Sequence, residues 1–279
     1  MGAPLQVRTA LCAVALALLA ITVGPDGAVS RASAQESSAK GSRASCVDPS
    51  AYTRSVVSIS RYFDKARRDG SAEIIGERAT AWFYTSPRIL VTAAHFANTL
   101  PVQGWQDVEL RQTAREGEPG VMVLTPLRVV ARGRLAGGMA EDVAILELRD
   151  PFPHAQVLEV ETEVPPKNAM VLVLGYPGGR MQTAHGFLRD AATPASRYAG
   201  LAMIEIQGSD RLLLNVGTSG SPVLDCVGGR VIGVLNALLT LSPLPVPPSD
   251  NPAIPTPKGS PTNTAVPAAT LTAVWNRTL

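Results

Sequence analysis

Histidine and cysteine are scarce in this chain, three of each in 279 residues. They form no cluster with carboxylates at metal-ligand spacing, so the sequence offers no basis for a metal centre or a cofactor. Charge is thin as well. Only 17% of residues are charged and the net charge is +2, which excludes a strong electrostatic preference for nucleic acid or an anionic membrane surface. Arg61, Lys65, Arg67 and Arg68 do cluster, and read as a solvated helical or loop face. Aromatic residues are few, at 5%, but hydrophobic residues reach 46%, enough for one large domain or two small ones. No internal repeat is visible.

A membrane-length apolar run is also missing. TALCAVALALLAITV, residues 9–23, is shorter than the roughly 20 residues a spanning helix needs, and Gly24–Pro25 ends it. With Arg8 before it and the small residues Ala32–Ser33–Ala34 after it, the segment has the form of a cleaved signal peptide, residues 1–34. The mature chain would begin near Gln35, in a periplasm or outside the cell, with no stable membrane anchor left. Residues 35–51 open with the small, polar QESSAKGSRAS and are expected to be a flexible segment. Cys12 leaves with the signal. The remaining pair, Cys46 and Cys226, is even in number in an export context, where a disulfide persists. The alternative is two buried thiols.

The rest of the chain is built from short runs with strand character separated by turn signals. They are RSVVSIS (54–60), ATAWFYT (79–85), RILVTA (88–93), GVMVLTPLRVVARG (120–133), VAILEL (143–148), AMVLVLGY (169–176), LAMIEIQ (201–207), SPVLD (221–225) and RVIGVLNALL (230–239). Helical periodicity is confined to the tail, about 267–277, with Leu271 and Val274–Trp275 on its buried side. This pattern predicts an all-β sandwich or barrel, not a βαβ protein. Residues 242–262, rich in Pro, Ser and Thr, are long for a loop and suggest a surface excursion or flap.

Within LNVGTSGSPVLD, residues 214–225, glycines frame Ser219. The order suits either a tight turn before a strand or a nucleophile presented on a turn. A serine hydroxyl attacks only when a base takes its proton, usually histidine. His95 in LVTAAHFAN, His154 in DPFPHAQ and His185 in QTAHGFL are the choices, and each alone could be a surface residue. The orienting carboxylate could be Asp142 in AEDVAILEL or, less suitably, Asp107 in WQDVEL. Chain order excludes two rivals. An α/β-hydrolase needs a histidine after its serine, and none follows Ser219. A subtilisin-like order would need Asp64, which lies in a charge-rich stretch, and a strand–helix alternation that is missing.

TAAH, DVAIL and GTSGSP, in that order, resemble the trypsin/chymotrypsin-like serine peptidases over roughly residues 52–276. LGYPGG, VIGV and NTAVPAATL are similar to segments of bacterial members of the HtrA and V8 types. The resemblance implies two six-stranded antiparallel β-barrels, the first over about 52–150, the second over about 165–240, and a short C-terminal helix. It implies His95 as general base and acid, Asp142 as its orienter and Ser219 as nucleophile, with the N–H groups of Gly217 and Ser219 forming the oxyanion hole. Gly217 would let its amide face the oxyanion, and Gly220 would relieve crowding beside the nucleophile.

Departures from the family pattern carry information too. Thr218 stands where the pancreatic enzymes have an aspartate that pairs with a new N-terminus, and no IVGG-like start is present, so that zymogen switch is not expected. Leu213 and Leu235, with Asn236 beside it, fall at the positions that would line the substrate pocket. Leu235 argues against glutamate specificity and Leu213 against Lys/Arg, leaving small or medium apolar side chains. The chain ends about sixty residues after Ser219, with no room for a PDZ module, which suggests a monomer. The expected function is exported serine endopeptidase on polypeptide substrates. The rival is a catalytically silent relative that binds a peptide or partner protein in its cleft.

Overall fold

The computed structural model describes residues 46–66, 72–98, 100, 104–113, 120–135, 139–163, 165–189, 200–206, 216–239 and 262–277. Residues 1–45, where a signal peptide and a flexible segment are expected, Arg67, Arg68, Leu213 and the Pro-rich loop up to residue 261 lie outside them.

Strands β1 (Val56–Ala66), β2 (Ala72–Phe83), β3 (Ile89–Thr92), β4 (Gln106–Gln112), β5 (Val121–Arg132) and β6 (Ala144–Leu148) close a barrel in the order β1-β2-β3-β6-β5-β4. A second barrel is closed by β7 (Met170–Gly175), β8 (Gln182–Leu188), β9 (Ala202–Ile206), β10 (Pro222–Asp225), β11 (Val231–Leu239) and β12 (Thr262–Pro267), in the order β10-β11-β12-β9-β8-β7. Neighbouring strands in both barrels run antiparallel. A one-turn helix α1 (Ala94–Ala97) follows β3, and α2 (Ala268–Asn276) follows β12. The fold is the two-barrel, chymotrypsin-like architecture expected from the sequence. The second barrel reaches further along the chain than the expected limit near 240, because its sixth strand comes after the Pro-rich loop.

The pleat explains why adjacent apolar residues of β1 and β2 are buried in two different places. Successive side chains point to opposite faces of a strand. Val57 and Ile59 of β1, and Ala79, Ala81 and Phe83 of β2, fill the first barrel together with Leu90, Leu110 and Leu146. The alternate residues Val56 and Trp82 belong to a different cluster, with Leu172, Leu174 and Tyr176 of the second barrel. Both faces are therefore buried, one inside the barrel and one between barrels. Burial of each such side chain contributes about 1.5–3 kcal/mol.

The basic cluster corrects the sequence reading. Arg61 lies in β1 opposite Glu77 of β2, only 7% exposed, and its Nε donates to Glu77 at 3.0 Å. It faces the interior side of the barrel wall, as an ion pair and not as a solvated loop. Lys65 is also in β1. On α2, Leu271 and Val274 are buried and Trp275 meets Tyr84 edge to face at 5.9 Å.

Cys46 and Cys226 are joined in a disulfide that closes a span of 180 residues. The neighbouring Val47 N–H donates to Cys226 O at 2.9 Å. The segment before β1 is thereby fastened to the turn that follows β10. Among the described residues no helix is long and apolar enough to cross a membrane.

Candidate active site

Small residues bring His95 close to the first barrel. Ala93 and Ala94 are fully buried at the start of α1, so this single turn docks against the wall with no bulk between them. Asp142 precedes β6 and is 0% exposed. Its Oδ1 accepts the backbone N–H of His95 at 2.8 Å, and its Oδ2 lies 2.7 Å from His95 Nδ1. A buried carboxylate is tolerable when donors satisfy it, and here ring and backbone of one residue both do so. The pair sets the tautomer: Nδ1 carries the proton toward Asp142, leaving Nε2 as the acceptor. The imidazole remains 40% exposed and open to an incoming proton donor.

Ser219 lies between β9 and β10, on the turn that leads into β10. Gly217 has φ +102° and Gly220 φ +89°, both in the region that favours glycine. Space demands glycine there as well. A Cβ on Gly217 would lie 2.6 Å from Tyr176 O, and one on Gly220 would lie 2.3 Å from Thr80 O and 2.5 Å from Thr92 Oγ1. The N–H groups of Gly217 and Ser219 have no acceptor among the described residues. The Ser219 hydroxyl, half-buried, makes no hydrogen bond there either.

The turn is instead held by its backbone from both sides. Thr80 N–H of β2 donates to Ser219 O at 2.9 Å, and Gly220 N–H donates to Leu235 O of β11 at 2.7 Å. Thr80 Oγ1 donates to Gly217 O at 2.7 Å and accepts Tyr176 N–H at 2.9 Å. Thr92 Oγ1 donates to Thr80 O at 2.7 Å. Tyr176 is buried, which pushes its phenol above the ordinary value, although the Thr113 N–H it accepts opposes the shift. A chain of buried hydrogen bonds thus runs from β3 through β2 to the serine turn.

The fold has counterparts among known proteins. A family model of the trypsin-like peptidase domain matches residues 79–234, more than half of the chain. The chain belongs to the trypsin-like peptidases. Among solved structures, the active form of the M. tuberculosis protease Rv3671c is 21% identical, with 82% of this chain and 83% of that one covered at a TM-score of 0.51. An inactive form of the same protein, carrying a serine-to-alanine change, is also 21% identical, over 83% and 91%, at a TM-score of 0.51. The serine endoprotease from Yersinia pestis is 15% identical, at a TM-score of 0.52, with 82% of this chain and 65% of that one covered. At these identities the likeness is one of fold. No curated protein matched the chain.

His95 is held against the buried carboxylate of Asp142. His154 is exposed in a turn with φ +58°, and His185 is half-buried in β8 opposite Leu172. Asp107 is exposed in β4 opposite Pro126, and Asp64 lies in β1 opposite Ile74.

The substrate-pocket residues fare differently. Leu235 is 2% exposed and packs inside the second barrel with Val171, Val173, Ile204 and Ala265. Asn236 is skipped in the β11–β12 register, where Leu235 faces Ala265 and Ala237 faces Thr264. Such a bulge re-aims a side chain. Asn236 Oδ1 accepts from Thr264 Oγ1 at 2.6 Å, and its Nδ2 donates to Met139 O at 3.4 Å, just before Asp142. It is a brace between the barrels.

Thr80, Thr92 and Tyr176 were not legible as site residues. The available signal was a hydroxyl residue within the strand run 79–85 and another near the end of the run 88–93, since a buried hydroxyl needs a hydrogen-bond partner.

Proposed function

We propose that this chain is an exported serine endopeptidase. The observation that carries the reading is the buried Asp142 carboxylate, which fixes both the backbone and the ring of His95. A histidine held this way, in the same fold as a glycine-framed Ser219, has the parts that acyl transfer requires. His95 Nε2 takes the Ser219 proton as Oγ attacks the peptide carbonyl carbon. Asp142 stabilises the imidazolium without taking its proton. The oxyanion is received by the N–H groups of Gly217 and Ser219, which have no other acceptor among the described residues. Collapse of the tetrahedral adduct breaks the C–N bond, and His95 gives its proton to the leaving amine. Water then enters, loses a proton to His95, and releases the acid product and the free Ser219 hydroxyl.

Export rests on the form of residues 1–34 and on the Cys46–Cys226 disulfide, which persists in an oxidising compartment. The mature domain would comprise about residues 52–279.

Labelling with a fluorophosphonate probe tests the reading. The mature protein should be modified at Ser219, and both Ser219→Ala and His95→Ala should abolish the signal. A folded wild-type protein that takes no label would instead favour a silent module that binds peptides in the cleft.

A further inference from the structure

We infer that Arg78 is a specificity-determining residue that takes a carboxylate in the leaving-group half of the substrate, an inference that rests on the peptidase reading. Arg78 lies in β2, two residues before Thr80, and the pleat places both side chains on the same face. That face is the one turned to the second barrel, since Thr80 Oγ1 reaches Gly217 O. Two strand residues span roughly 7 Å, so the guanidinium sits about one side chain away from the oxyanion turn.

Its surroundings leave its charge unanswered. Arg78 Nε donates to Ser60 Oγ at 3.1 Å, and among the described residues Arg78 has no carboxylate partner. The adjacent Glu77 is on the opposite face of β2, where it pairs with Arg61. A half-buried guanidinium usually finds an acid. Here the space beside it is kept clear by glycine. A Cβ on Gly179 would lie 2.7 Å from Arg78 Nη1, and Gly179 already has φ +83°. The preceding Gly178 N–H donates to Val216 O at 3.1 Å, so the loop under Arg78 also props the residue before Gly217. The guanidinium, the Gly178–Gly179 loop and the residue before Gly217 are thus linked through successive contacts.

The chemistry assigns the side of the scissile bond. The leaving amine takes its proton from His95, which stands on the first barrel, so the leaving half of the peptide runs toward that barrel. β2 holds the Ser219 turn from the same side, opposite β11. The carboxylate could be an Asp or Glu side chain or the C-terminus of a short peptide. A planar guanidinium with free N–H groups suits each.

Cleavage of a peptide library decides the matter, with product sequencing and two matched arms: Asp/Glu against Asn/Gln, and free against amidated C-termini. Wild-type protein should favour the carboxylate arm by about tenfold in kcat/KM. Arg78→Ala should lose that preference, Arg78→Lys keep part of it, and Arg78→Glu turn it toward Lys and Arg. A reversal of this kind cannot come from misfolding. The same paired peptides are titrated by fluorescence anisotropy against Ser219→Ala, alone and with Arg78→Ala, so that binding is read without turnover. Failure of wild-type protein to label with fluorophosphonate would remove the peptidase reading, and the binding arm would still judge Arg78. Carboxylate-to-amide ratios that stay the same in Arg78→Ala and Arg78→Glu overturn the inference.

Discussion

In the first barrel the two candidate groups, His95 and Asp142, hold each other directly. In the second, Ser219 is held by backbone, and half of that hold comes from the other barrel, through Thr80. A buried acid and an adjacent histidine can be positioned by a single turn of helix and one strand end. A serine on a tight turn cannot hold itself, because its two glycines give up side-chain contacts in exchange for positive φ and close approach. The serine half of the site therefore depends directly on assembly of the barrels, whereas the histidine half feels it only through Asn236, which braces the loop before Asp142.

The strongest challenge to this contrast is removal of the histidine half. His95→Ala should slow fluorophosphonate labelling of Ser219 by about 10⁴-fold or more. Its melting temperature should fall modestly, because the change strands the buried Asp142 Oδ2. Labelling near the wild-type rate would break the assignment outright. Next in size is the covalent tie between the first segment and the turn after β10. Replacing both Cys46 and Cys226 by serine should lower the unfolding free energy by up to about 5 kcal/mol, on a chain-entropy estimate for so long a loop. A denaturant midpoint that barely moves would mean that the first segment is peripheral to the folded unit.

Thr80→Val probes the dependence between barrels. It strands Tyr176 N–H and Gly217 O, both in buried surroundings, and should cost about 2–3 kcal/mol. Labelling should slow by more than the unfolded fraction explains. Ser58 pairs with Thr80 across β1 and β2, but its buried hydroxyl has no partner among the described residues, so Ser58→Ala should be close to neutral. Equal effects of the two variants would remove the special role of Thr80.

The smallest effect lies next to Asp142. Glu141 accepts the Arg134 N–H and pairs with Arg277 of the C-terminal segment, which holds its carboxyl below the ordinary value of 4.5. A carboxyl depressed in the folded state stabilises above its unfolded value, and this contribution disappears as pH falls through the lower, folded one. Because Glu141 is a third exposed, the gain should be under about 1 kcal/mol. Melting curves between pH 7 and 3 should show a slightly shallower acid limb in Glu141→Gln; an unchanged limb would mean that the pair is solvated.

Legibility followed physical range. The all-β class, most strands and the short C-terminal helix could be read because strand periodicity and turn chemistry act over a few residues. β4, β8 and β12 escaped notice: their sequences QDVELRQ, QTAHGFL and TNTAVP are polar or small and derive their strand character from barrel closure. The motifs that named His95, Asp142 and Ser219 could also be read, since each sits within its own short segment. Arg61 was misread because its partner, Glu77, lies across a hairpin.

Local pattern alone was enough to establish the punctuation between strands, the family to which the motifs belong and the glycines that a strained turn requires. Folding had to bring the barrels together before Thr80 could bind the serine turn, Asn236 brace the loop before Asp142, or Gly179 lie against Arg78. Each depends on groups far apart in the chain, up to 137 residues for Thr80 and Gly217. Hydrogen bonds of about 3 Å cannot be specified by local pattern, only by closure of two barrels against one another.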